Sequence, residues 1–152
     1  MIRRIDHVAI STADAERMLQ FYRDVLGFEV VSDTSWPRGT QVLDDLVGLK
    51  DSAARSIMLR KGDTRFELFQ YESPPPRPVD PRRPVCDHGI THFCLEVADI
   101  YGEYERLRAA GMTFHCAPKD FGVVRSTYGR DPDGNVIELY EEVAAAGSPA
   151  SS

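Results

Sequence analysis

Two stretches of the chain repeat one arrangement of apolar and polar positions. IDHVAISTAD (Ile5 to Asp14) and ITHFCLEVAD (Ile90 to Asp99) share Ile, His, Ala and Asp at a constant offset of 85, so His7 pairs with His92. Both read as strands. Each is followed by an amphipathic helical pattern, carried by Ala15, Met18, Leu19, Tyr22 and Leu26 in the first copy and by Ile100, Tyr104 and Leu107 in the second. Each pattern stops at a glycine, Gly27 or Gly111, as expected where a helix hands over to a strand. The apolar stretches after these glycines, FEVV and MTF, predict strands. Further on, TRFELFQYE (Thr64 to Glu72) lies over NVIELYEE (Asn135 to Glu142), with Glu67 opposite Glu138 and Leu68 opposite Leu139. Each half therefore reads strand, helix, then two or three more strands.

The halves differ in length. The first carries about 14 extra residues between its histidine and its glutamate. The surplus is assigned to residues 36–54, with a short helix around Gln41 to Val47, as a substrate wall or a dimer contact. Six prolines in SPPPRPVDPRRP (Ser73 to Pro84) remove backbone donors and forbid regular structure. The expected organisation is a first module over 1–72, a proline-rich linker over 73–86, a second module over 87–143 and a disordered tail over 144–152.

Composition narrows the function classes. The 152 residues are 42% hydrophobic and 28% charged, as in ordinary globular domains. A net charge of −6 provides no basic footprint for a phosphate backbone, which argues against a nucleic-acid partner. No apolar run approaches the ~20 residues of a membrane span, and no signal peptide is read at the N-terminus. Cysteines at 86, 94 and 116 form no C-x-x-C pair and suit reduced thiols, so a cytoplasmic location is expected.

Strand alternation sets the direction of the repeated polar residues. His7 shares a face with Ile5 and Ala9, and Glu67 shares one with Arg65, Phe69 and Tyr71, whereas Phe66 and Leu68 point the other way, under the helices. In the second half His92 goes with Ile90 and Cys94, and Glu138 with Val136 and Tyr140. Taken singly, a strand histidine is most simply structural and a strand glutamate solvated. A duplicated fold brings matching positions together, and two imidazoles with two carboxylates at one point call for a cation among them. The donor types suit Zn, Ni, Co, Mn or Fe(II) and do not choose among them.

The D-H-V-A-I and I-T-H-F-C-L-E-V strands, the helix ending F-Y-R-D-V-L-G-F and the D-P-D-G-N-V-I-E-L motif (Asp131 to Leu139) closely resemble the vicinal oxygen chelate superfamily over roughly residues 2 to 142. This superfamily includes glyoxalase I, methylmalonyl-CoA epimerase, extradiol dioxygenases, fosfomycin-resistance transferases and bleomycin-binding proteins. The resemblance implies an α+β fold of two tandem βαβββ modules forming a curved-sheet cleft, and a homodimer with the cleft formed within one chain or across two. It places the four metal positions on His7, Glu67, His92 and Glu138. It also implies one divalent metal ion and α-proton transfer through a metal-chelated enediolate, with Glu67 and Glu138 as catalytic acid and base. The expected enzyme is a metal-dependent isomerase, epimerase or lyase acting on a small hydroxy-carbonyl, acyl-thioester or sugar-like substrate.

Three alternatives remain: a glyoxalase I-type (lactoylglutathione) lyase, an Fe(II) extradiol-type dioxygenase, and a metal-free binding or resistance protein. Two departures from glyoxalase I argue against glutathione. Ser11 stands where an arginine usually holds a glutathione carboxylate, and LFQYES follows Glu67 without the usual asparagine. Phe69, Tyr71, Tyr140, Trp36 and Phe121 are candidate aromatic walls, with core packing or dimer contact as the competing reading. Arg65 and Arg125 are candidate anion partners, although Arg125, like Arg60, is most simply solvated. Cys94 is a candidate soft neighbour of the metal, and His88 and His115, without repeat partners, are left outside the site.

Overall fold

A computed structural model describes residues 1–143, and the expected tail over 144–152 lies outside the described residues. The chain divides into two compact units between Val79 and Asp80, inside the proline-rich segment. Among the described residues no helix is long and apolar enough to cross a membrane.

The first unit runs β1 (His7–Ser11), α1 (Ala15–Leu19) continuing as the wider π-helical turns of Gln20–Val25, β2 (Glu29–Trp36), α2 (Gln41–Val47), β3 (Ala53–Lys61) and β4 (Thr64–Ser73). Its sheet has the order β1-β4-β3-β2, with β1 parallel to β4 and the other neighbours antiparallel. Helix α1 starts where the Asp14 carboxylate accepts the Arg17 amide at 3.0 Å. It ends in a wide turn closed by Leu26 N–H to Phe21 O, and Gly27 (φ 76°) then reverses the chain into β2.

The helical face buries Met18, Leu19, Phe21 and Tyr22 with Ile57, Leu59, Phe66 and Leu68 of the sheet. Tyr22 stacks on Phe66 with ring centroids 4.5 Å apart and meets Phe21 and Phe28 edge-on. Each such buried side chain contributes about 1.5–3 kcal/mol by leaving water. That burial fixes which face of β4 turns away from the core, and therefore the face that carries Glu67.

The insertion forms α2 at the expected residues. Its Asp44 is buried and accepts hydrogen bonds from the Asp51 amide (2.8 Å) and from the Ser52 amide and hydroxyl (2.7 and 2.5 Å). The Ser52 hydroxyl in turn accepts the Trp36 indole N–H at 3.0 Å, which ties the insertion to the end of β2.

The second unit runs β5 (Phe93–Glu96), α3 (Ile100–Ala109), β6 (Thr113–Phe114), β7 (Lys119–Asp120), β8 (Val124–Arg130) and β9 (Val136–Glu142). The order is β5-β9-β8-β6, with β5 parallel to β9 and the short β7 also paired to β8. Asp99 caps α3 as Asp14 caps α1, accepting the Gly102 amide at 3.0 Å. Ile100, Leu107, Met112, Val136, Ile137 and Leu139 make its core. Each unit is thus a βαβββ module, the first with α2 inserted and the second with β7 added.

Beyond the wide turns of Gln20–Val25, two local features refine the sequence reading. His92 lies one residue before β5 rather than inside the strand. The second half of the proline-rich segment is also held by its own unit, because the Arg130 guanidinium donates to the carbonyls of Pro81 (3.3 Å), Arg83 (2.9 Å) and Gly134 (2.7 Å).

Candidate functional site

Strand pairing carries His7 and Glu67 to one place in the first unit. In the parallel β1–β4 pair His7 lies opposite Arg65, so its side chain is one same-face step from Glu67. The His7 Nε2 to Glu67 Oε2 distance is 3.4 Å, with the histidine side chain 38% exposed and the glutamate 14%. The other ring nitrogen, Nδ1, faces Asp6 Oδ2 at 3.3 Å. On β3 the Ser56 hydroxyl donates to the other carboxylate oxygen, Oε1, at 2.6 Å.

The second unit builds the same arrangement. Phe93 faces Ile137, which sets His92 at the same stagger from Glu138. His92 Nε2 lies 3.1 Å from Glu138 Oε2, the side chains being 29% and 18% exposed. His92 Nδ1 faces the Thr91 hydroxyl at 2.8 Å, and the Ser126 hydroxyl on β8 donates to Glu138 Oε1 at 2.6 Å. One contact has no counterpart in the register of the first unit. Tyr128 pairs with Glu138 where Met58 pairs with Glu67, and its hydroxyl lies 3.5 Å from His92 Nε2.

The four expected ligands are therefore gathered as two pairs, one in each unit. Among the described residues no group of three or more His, Cys, Asp or Glu side chains is clustered as a metal site. The pairs themselves suit a divalent ion. Nitrogen and oxygen ligands at about 2.0–2.2 Å from one ion, at angles between square and tetrahedral, sit about 3.0–3.4 Å from each other. The observed separations of 3.4 and 3.1 Å fall in that range, and in both pairs the facing atoms are the imidazole Nε2 and a carboxylate oxygen.

A cavity of ≈ 430 Å³ opens beside Glu138 in the second unit, with Phe121, Val124, Tyr128 and Tyr140 among its walls. His115 and Lys119 also line it. Without a repeat partner, His115 carried no sequence signal for this position; it is brought there because its amide pairs with the Tyr128 carbonyl at 2.8 Å, continuing the β6–β8 ladder. Burial, followed by the charge of Arg130, holds the His115 imidazole below its ordinary value. Partial desolvation and the Glu138 carboxylate push the Cys94 thiol up to about 11, so at neutral pH it is a protonated thiol rather than a thiolate.

The aromatic residues separate by unit. Phe69 and Tyr71 stack at 5.6 Å on the Glu67 face, and Trp36 meets both edge-on at 6.2 and 6.0 Å. Burial, then the Glu67 charge, raises the Tyr71 phenol above its ordinary value. Arg125 does not stand ready for an anionic group: its guanidinium is held by Asp120 at 2.9 Å and Glu141 at 3.2 Å. Arg65 lies against Asp6 at 3.4 Å, and His88 is exposed.

Comparison with known proteins places this architecture in a family. The sequence profile of the Glyoxalase/Bleomycin resistance protein/Dioxygenase superfamily matches residues 4–139, and the chain belongs to that superfamily. The chain is 32% identical over 118 residues to the ethylmalonyl-CoA/methylmalonyl-CoA epimerase of Cereibacter sphaeroides, covering 73% of each. It is 27% identical over 139 residues to a probable lactoylglutathione lyase of Synechocystis, covering 89% of this chain and 92% of that one. Among solved structures, a glyoxalase family protein from Bacillus cereus superposes with a TM-score of 0.85 at 22% identity, covering 95% of this chain and 97% of that one, which shows a shared fold.

Proposed function

We propose that the protein is a metal-dependent isomerase, epimerase or lyase that transfers an α-proton on a small hydroxy-carbonyl, acyl-thioester or sugar-like substrate. The observation that carries this reading is the repeated pair, His7 with Glu67 and His92 with Glu138, built twice with the same facing atoms. In this proposal the two pairs, from one chain or from two chains of a homodimer, are the ligands of a single divalent ion. When bound, that ion would supply Lewis-acid polarisation of a substrate carbonyl, worth several kcal/mol. The same reading takes the protein as cytoplasmic, in keeping with Cys86, Cys94 and Cys116 as free thiols.

The residues divide the work. His7 and His92 are fixed ligands, each with its Nδ1 held by the preceding residue. Glu138 borders the cavity, where its carboxylate can take a proton from a carbon beside a carbonyl, an effect typically worth ~10² to 10⁴ in rate. Glu67 then delivers a proton taken up from solvent, and Glu138 releases its own to solvent, which restores both carboxylates. Return to the same carbon from the opposite face epimerises, and return to the neighbouring carbon isomerises. Phe121, Val124 and Tyr140 supply apolar wall against which such a substrate would rest.

The similarity to an epimerase and to a probable lyase supports both branches. Ser11 and the LFQYES segment, which lack the arginine and asparagine expected for glutathione, favour the branch without it. The test is deuterium incorporation in D₂O into a panel of 2-hydroxy ketones, 2-methyl acyl thioesters and the glutathione hemithioacetal of methylglyoxal. Exchange at the carbon beside the carbonyl without net oxidation, lost in Glu138→Gln, is expected. Oxygen uptake with catechols would move the assignment to a ring-cleaving dioxygenase. Full turnover in Glu67→Gln and Glu138→Gln variants that still bind metal would remove the two-carboxylate scheme.

A further inference from the structure

We propose that Ser56 and Ser126 are positioning residues that hold the two ligand glutamates with one oxygen engaged and the other turned toward the metal. This rests on the metal reading above. The geometry is the same in both units. Each serine hydroxyl donates at 2.6 Å to Oε1, while Oε2 of the same carboxylate faces the histidine Nε2. Each serine also occupies one register position: Ser56 pairs with Phe69, two residues after Glu67, and Ser126 with Tyr140, two residues after Glu138. The hydroxyl reaches diagonally across the antiparallel pair on the face that carries the glutamate.

The far side of each histidine is fixed in the same manner. Nδ1 meets Asp6 in the first unit and Thr91 in the second, in both cases the residue just before the histidine. Each His–Glu pair is therefore oriented from behind at both members, with Nε2 and Oε2 facing one another and, in the second unit, the Tyr128 hydroxyl also 3.5 Å from His92 Nε2. Partners of this kind set ligand orientation, and their removal typically costs 10–100-fold in metal affinity. In each unit Oε2 is thus the glutamate oxygen that faces the histidine, and Oε1 is the one held by the serine.

The test uses the full-length protein and Co(II), whose affinity is read by competition with a chromogenic chelator and whose visible absorption reports the ligand field. Ser56→Ala and Ser126→Ala should each bind Co(II) 10–100-fold more weakly than wild type, with an altered visible spectrum. Ser56→Thr and Ser126→Thr keep the hydroxyl and should stay within about threefold. Far-UV circular dichroism and the urea midpoint show that all four are folded. Alanine variants within twofold of wild type, or threonine variants that lose as much as alanine, would overturn the role of the serines. If His92→Ala abolishes binding while the serine variants do not change it, only this inference fails. If wild type binds no Co(II), both this inference and the metal reading fall.

Discussion

Asp131, in the turn that leads into β9, is a sensitive point in the support of Glu138. The residue is 5% exposed. Its Oδ1 accepts the amides of Asp133 (3.0 Å) and Asn135 (2.8 Å), and its Oδ2 accepts the Asn135 side-chain amide at 2.8 Å. Asp131→Ala removes the acceptors of all three hydrogen bonds at once. Hydrogen bonds to a charged group contribute about 1.5–3 kcal/mol each, but the freed donors lie in a half-buried turn and regain water, so the net loss is set at about 2–4 kcal/mol. Asp131→Asn keeps Oδ1 but turns an NH₂ toward the Asn135 NH₂, and should cost about 1–2 kcal/mol. Urea denaturation followed by circular dichroism measures both, and hydrogen exchange should show the Asp133 and Asn135 amides losing protection. An Asp131→Ala protein within about 0.5 kcal/mol of wild type, or one less destabilised by alanine than by asparagine, would refute this account of the turn.

Three further perturbations follow from the same packing. Gly134 has φ 87°, and a Cβ there would run into the backbone of Pro81, so Gly134→Ala should destabilise the second unit by more than the ~1 kcal/mol of an ordinary left-handed position; a neutral change in the urea midpoint would contradict it. Leu68 is fully buried beside Glu67, and Leu68→Ala should cost about 2–5 kcal/mol, read by the fluorescence of Trp36, the sole tryptophan; a loss under 1 kcal/mol would contradict the core assignment. His115, its value lowered by burial and then by Arg130, binds fewer protons folded than unfolded just below pH 6.5, so its contribution to stability is present above pH 6.5 and is lost as pH falls through that window. An NMR titration should place His115 below 6.5, and a value at or above 6.5 would contradict the burial argument.

Most of the architecture was legible because repetition and alternation act at the level of sequence. The offset of 85 paired the first strand and helix of each half, and the alternation around Phe66 and Leu68 put Glu67 on the face away from the core. Helix α2 was readable from its own short pattern. The wide turn of Gln20–Val25 was not, because Met18, Leu19, Tyr22 and Leu26 keep the spacing of a regular helix while the backbone opens near its end. The serines were hidden for a different reason. Eleven positions separate Ser56 from Glu67 and twelve separate Ser126 from Glu138, so no constant offset links them, and only strand register shows their equivalence. Arg125 could be read as an anion partner only while its contacts with Asp120 and Glu141, made across β7–β8 and β8–β9, were unknown.

The single divalent ion proposed for the two His–Glu pairs is open to direct measurement. Metal content of protein purified without added metal and then reconstituted tests it most directly. About one ion per chain is expected, with binding lost in His7→Ala and in His92→Ala. No bound divalent ion after reconstitution, or an ion retained in either histidine variant, would contradict it.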